Sequence, residues 1–209
     1  MRVLEGRGTD MCPRDPRRRV SGDNRGVKSL AGRLLVATPS TGGDVFTRSV
    51  VLMLHHSDDG AHGVVLNKPL GVDVTPVLPD WQSHLSPPEL LFQGGPVSLD
   101  TAIGLASLPG DTEVDGVVRM FGSVGVVDLD EDADRIGGAV ARFRVFAGYA
   151  GWGPGQLEGE LERDSWYVVD TEVGDVFTDE PDGLWSRVLA RQPGSVAWAA
   201  SFPEDPRWN

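Results

Sequence analysis

The chain has 209 residues, enough for one well-buried core and few for two full domains. Its 40% hydrophobic and 24% charged content is that of a folded domain, its apolar runs stop far short of the roughly 18–20 residues that cross a bilayer, and its one cysteine, Cys12, excludes an internal disulfide and a multi-cysteine zinc site. Residues 1–33 carry a balance of +5 and the rest −17, so the acidic body repels phosphate backbones and direct duplex DNA binding by the folded domain is not expected.

Residues 1–33 are rich in Arg, Gly, Pro and Asp and show no apolar periodicity, which predicts a disordered basic tail ahead of a single domain at 34–209. Arg17-Arg18-Arg19 is followed by Ser21-Gly22-Asp23-Asn24-Arg25 rather than an apolar stretch. That pattern lacks an export signal, and with no membrane span the expected location is cytoplasmic.

Leu34-Leu35-Val36-Ala37 reads as a buried strand ended by Thr38-Pro39. The run Ser49–Leu54 is apolar at consecutive positions after its first residue, which predicts a central strand covered on both faces. Asp58-Asp59-Gly60-Ala61 supplies turn chemistry, and Gly63–Leu66 is the return strand of a hairpin. Residues 72–90 hold four prolines and a Trp, which predicts at most a short helical turn capping an edge of the sheet. Further strands are predicted at Leu90–Gln93, Thr101–Ala106, Val117–Phe121, Val124–Leu129, Phe143–Tyr149 and Ser165–Asp170. Helices are expected after Asp130-Glu131-Asp132, over Gln156–Arg163, and from Asp182 to Pro193, the last with Leu184, Trp185, Val188 and Leu189 on one stripe. Strands outnumber helices without strict alternation, which predicts an α+β fold.

Four segments together resemble the YqgE/AlgH family of small bacterial proteins. They are Leu34-Leu35-Val36-Ala37-Thr38-Pro39 with Phe46-Thr47-Arg48-Ser49-Val50-Val51; Gly60-Ala61-His62-Gly63-Val64-Val65-Leu66-Asn67-Lys68-Pro69; Gly94-Gly95-Pro96-Val97; and Gly148-Tyr149-Ala150-Gly151-Trp152-Gly153-Pro154-Gly155-Gln156-Leu157-Glu158 with Trp166 beyond. The resemblance implies a bent mixed sheet forming a pseudo-barrel with a few surrounding helices. It implies no established enzyme activity, since the family is mostly uncharacterised, with a regulatory role attached to some members. The chain departs from the family pattern where His55-His56 replaces a Glu-His pair, and where Asp100-Thr101-Ala102 and Ala106 stand in place of Asp-Arg-Gly and a later His.

No nucleophile elbow, zinc-helix motif or phosphate loop is complete. His55, His56, Asp58, Asp59 and His62 are metal-ligand types, but His55 and His56 point to opposite strand faces, and pairing of Ser57 with His62 would leave His55 only diagonal to His62. No metal and no cofactor are therefore expected. Gly151–Gly155 reads as a structural turn over which Trp152 packs.

Two function classes remain. The first is a non-catalytic binding or regulatory protein engaging an unknown protein or small molecule. The second is a small hydrolase or transferase using His56 with Asp44, Asn67 or Asp58. Turn and strand-end positions in the four segments suggest one surface cleft lined by Pro39, Asp44, His56, Asn67, Gly95, Pro96, Trp152 and Gln156, with no catalytic residue assigned.

Overall fold

In the computed structural model, residues 28–43 and 45–202 are described. Consecutive apolar residues build two central strands, β1 (Arg33–Ala37) and β2 (Val50–Ser57), and strand alternation sends their side chains into two different cores. Leu34, Val36, Val50, Leu52 and Leu54 enter one; Leu35, Ala37, Val51 and Met53 enter the other. The expectation of a strand covered on both faces holds for this reason.

Seven further strands complete one sheet among the described residues: β3 (Gly60–Val65), β4 (Phe92–Gln93), β5 (Val97–Ser107), β6 (Val117–Phe121), β7 (Val124–Val127), β8 (Arg142–Trp152) and β9 (Trp166–Asp170). The order is β6-β7-β5-β8-β3-β2-β1-β9, antiparallel throughout, with the two-residue β4 added parallel to β8. The sheet curls into a half-barrel, so the fold is α+β with a bent mixed sheet.

The bend is built by close backbone contact. Along β8 the chain pairs with β5 over its first half and with β3 over its second, and Gly148 between them takes φ 66°, a left-handed conformation that suits glycine. Gly95 lies against this bend so tightly that a Cβ there would stand 2.1 Å from the Tyr149 carbonyl carbon. A Cβ at Gly94 would likewise stand 2.3 Å from the Gly148 carbonyl oxygen, so packing requires glycine at both positions.

Among the described residues five short helices surround the sheet: α1 (Ala133–Gly137), α2 (Gln156–Glu162), α3 (Val173–Val176), α4 (Leu184–Ala190) and α5 (Ser195–Ala199). The α4 stripe is as the spacing predicts, with Leu184, Trp185, Val188 and Leu189 all buried. The Trp185 indole N–H donates to the Ala37 carbonyl at 2.8 Å and so ties α4 to the end of β1. Arg144 is buried beneath α3, donating to the carbonyls of Pro87, Val176 and Thr178 with its guanidinium over the Phe92 ring. Burial pushes its pKa down to about 10, which leaves it charged at neutral pH.

Two expectations are revised. The 72–90 segment, with its 3-10 turn Pro79–His84, covers a face of the sheet rather than an edge. Val74, Trp81 and Leu85 bury against Ala106, Val127, Phe143 and Val145, because apolar side chains gain more on a sheet face than beside its rim. Structure also begins before Leu34. Leu30 packs into the second core, the Gly32 N–H bonds the Met53 carbonyl at 2.8 Å, and Arg33 opens β1. One apolar residue among polar ones carries no periodicity, so composition places the boundary several residues late. Residues 1–27 of the expected tail lie outside the described residues. No helix among the described residues is long and apolar enough to cross a membrane.

Candidate functional site

The β2–β3 hairpin closes through a two-residue turn, Asp58–Asp59, with Ser57 opposite Gly60 and His56 opposite Ala61. His56 points inward and is 6% exposed. Its Nδ1 accepts from the Leu30 N–H at 3.1 Å, which places the ring proton on Nε2, and Nε2 donates to Glu158 Oε1 at 2.7 Å. The Glu158 carboxyl is held below its usual range, chiefly by a bond from its own main-chain N–H, against the effect of burial and with help from His56. With both nitrogens engaged, His56 fastens the 29–30 segment and α2 to the hairpin.

The Trp152 loop is fastened in the same manner. Glu160 Oε2 accepts the indole N–H of Trp152 at 2.9 Å and of Trp166 at 2.8 Å, while Oε1 accepts from Gln156 Nε2 at 3.1 Å. The other end of the Gln156 carboxamide accepts the Gly153 N–H. Phe46 meets the Trp166 ring edge-on at 5.7 Å and closes the cluster.

Asn67 follows β3 and bridges back to the entrance of β2. Its Oδ1 accepts the Val50 N–H and its Nδ2 donates to the Arg48 carbonyl, both at 2.9 Å. These bonds pin Arg48 at φ 54°, a left-handed conformation in a residue with a side chain, which costs about 1–3 kcal/mol. So held, the Arg48 guanidinium stands 4.3 Å over the Trp185 ring and donates to the Phe202 carbonyl. Lys68 Nζ donates to the Thr47 carbonyl at 2.9 Å. Between these groups, Gln93 and α4 lies a cleft of about 730 Å³.

The eight residues expected to share one cleft are distributed differently. Asn67 lines the Arg48 cleft; Pro39 lines a concavity with Tyr167, Trp198 and Phe202; Trp152 lines a third with His55, His62 and Tyr149. His56 is buried rather than open, Gly95 is buried under β8, Pro96 is exposed nearby, and Gln156 is exposed with its carboxamide bonded. Asp44 lies outside the described residues. Arg48, Lys68 and Trp185 were not among the expected site residues. One signal could have found the first two: in an antiparallel hairpin, residues at equal distance from a paired position come side by side, and Arg48 and Lys68 each lie three residues beyond the Val51–Val65 pair.

The hairpin register also corrects the expected diagonal placement of His55, because the two-residue turn sets it directly opposite His62. Their rings stack with centroids 5.3 Å apart, and Tyr149 meets His62 edge-on. Among the described residues no group of three or more His, Cys, Asp or Glu is placed to hold a metal ion. Burial, and secondarily the neighbouring His55, lowers the His62 pKa from 6.5. The unfolded chain then binds more protons than the folded one below that value, so stability is complete above pH about 6.5 and is lost as pH falls toward the folded-state pKa. Melting temperatures measured between pH 7.5 and 5 should therefore decline more steeply in the native chain than in His62→Gln. Parallel profiles would show that the pair contributes nothing to acid sensitivity.

The curled half-barrel sheet with short helices around it places the chain among small single-domain α+β proteins. The chain belongs to the AlgH-like family, whose profile matches residues 34–197. It is 49% identical over 187 residues to a UPF0301 protein of Streptomyces avermitilis, covering 88% of this chain and 97% of that one, and 50% identical to a UPF0301 protein of Streptomyces coelicolor over the same shares. Among solved structures, a Corynebacterium diphtheriae protein superimposes with a TM-score of 0.77 at 33% identity over 82% of this chain and 91% of that one. The AlgH protein of Pseudomonas aeruginosa superimposes at 0.61 with 24% identity, over 84% and 95% of the two chains, a likeness of fold.

Proposed function

We propose that this is a non-catalytic binding protein that takes a small-molecule partner in the Arg48–Lys68–Trp185 cleft, and that any regulatory role is exercised through that ligand. The observation that carries the reading is the left-handed Arg48, held against its backbone preference by both ends of the Asn67 carboxamide. Strain of this kind persists only where surrounding structure enforces it, and it clusters at ligand-binding positions. The cleft also draws on two of the motif segments and the residue preceding a third, whereas the polar groups of the Trp152 loop are bonded to one another. The alternative, a hydrolase or transferase using His56, receives less support because Leu30 and Glu158 engage both ring nitrogens.

The test is a nitrogen-15 NMR screen of the full chain against a mixed set of small polar and aromatic fragments. Perturbed amides should cluster at Arg48, Lys68 and Gln93, together with the Trp185 indole N–H. Perturbations confined to the His55–His62 face, or scattered without a centre, would overturn this assignment.

A further inference from the structure

We infer that His55 and His62 form a two-imidazole site for a borderline divalent transition-metal ion, zinc or copper, on the open face of the β2–β3 hairpin; the inference is independent of the Arg48 cleft. Three observations carry it. First, the two residues stand directly opposite one another on neighbouring strands, both exposed, with ring centroids 5.3 Å apart and ring planes 23° from parallel. The expectation against a metal rested in part on a diagonal placement of this pair, and the observed register removes that objection. An ion held about 2.0–2.1 Å from each of two imidazole nitrogens leaves them at most about 4 Å apart, so the rings need only tilt toward each other, which the broad histidine χ2 torsion allows. Second, these are the histidines with nitrogens to give. Of the four in the chain, His56 has both nitrogens engaged, and His84 bonds Asp134 through Nε2 while its Nδ1 lies where a Cβ on Gly137 would come within 2.2 Å. Neither ring nitrogen of His62 has a hydrogen-bond partner among the described residues, and His55 uses only Nε2, at 3.1 Å from Ser57 Oγ. With the His55 proton on Nε2, Ser57 accepts it and the Nδ1 lone pair stays free, the arrangement in which ligating histidines are usually held.

Third, the surroundings select the ion. Burial, and secondarily His55, lowers the His62 pKa from 6.5, so its ring is neutral and a lone pair is available at neutral pH. The pair lines a concavity of about 430 Å³ with Asp59, Tyr149 and Trp152, which leaves room for coordinated water. Among the described residues no third histidine or carboxylate is placed to complete the set, so two protein nitrogens hold the ion and exchangeable waters fill its other positions. Imidazole suits zinc and copper, whereas magnesium and calcium want oxygen ligands. A net charge of −12 draws cations toward the chain.

The experiment titrates the full-length protein at pH 7.5 with zinc chloride, and separately with magnesium chloride, reading long-range proton–nitrogen-15 NMR spectra of the histidine rings. Zinc should shift the ring nitrogens of His55 and His62 together and saturably, leave those of His56 and His84 in place, and magnesium should move none of them. Copper, followed by paramagnetic broadening of the same signals, should bind more tightly than zinc, as the order of divalent affinities requires. His55→Gln and His62→Gln each leave a single imidazole and lose the gain of holding two ligands together, so each should raise the apparent Kd for zinc about tenfold or more. Backbone amide spectra unchanged away from the hairpin establish that both variants fold. At pH 5.5 zinc should bind more weakly to the native chain, because protons compete for the same lone pairs. Zinc that shifts only one of the two rings, that binds Cys12 or carboxylates with both rings unmoved, or that binds equally well in both variants would overturn the inference. An equal response to magnesium would do the same.

Discussion

Replacing Glu160 by Ala should lower the free energy of unfolding by about 2–4 kcal/mol, although the residue is only half-buried. The loss comes from its partners. One carboxylate oxygen accepts the indole N–H groups of both Trp152 and Trp166, residues that are 7% and 6% exposed. Truncation leaves two such donors without an acceptor, at about 1–3 kcal/mol each, moderated where water can reach them through the space vacated. It also frees Gln156 from Glu160 Oε1, loosening the start of α2. Glu160→Gln retains an acceptor oxygen and should lose less than half as much. Urea melts of the three proteins make the comparison, and a loss below about 0.5 kcal/mol for the alanine variant would show that solvent satisfies the indoles.

Met53→Ala should cost about 2–5 kcal/mol. Met53 has no exposed surface and sits in the core between β2 and α2, where Val51, Val65, Ala150, Leu157 and Trp166 complete the packing. Two terms add: the transfer free energy of the side-chain atoms removed, and the cavity that a sheet on one side and a clamped helix on the other cannot collapse to fill. The Gly32 N–H bond to the Met53 carbonyl is main-chain and survives the substitution, so the effect isolates packing. Denaturant melting with an unchanged slope and a lower midpoint is the expected signature. A shift of less than about 0.5 kcal/mol would mean that this core repacks freely.

The candidate site was less legible than the fold. Asn67 stood out in the sequence as a polar residue at a strand end, and it does line the Arg48 cleft. Its partners did not, because the value of Arg48 lies in a backbone conformation that no local pattern announces, and Trp185 reads as an ordinary core residue of an amphipathic helix. His56 misled in the opposite direction. A histidine among acids looks available for chemistry, yet Glu158, 102 residues away, and Leu30, 26 residues away, take both of its nitrogens.

What the sequence by itself determined is the set of elements whose cause is local. Consecutive apolar residues made β1 and β2 two-faced strands, Asp58–Asp59 made a hairpin, and the Leu184, Trp185, Val188, Leu189 stripe made α4. Each follows from periodicity or turn chemistry within about ten residues, which short-range sterics and burial decide. Only the tertiary structure decided the rest: that 72–90 covers a face, that four motif segments divide between a clamped loop, a backbone crossing and a cleft, and that Arg48 meets Trp185. Those outcomes depend on which distant groups satisfy each buried donor and acceptor, and hydrogen-bond partners across more than a hundred residues leave no periodic trace in the chain.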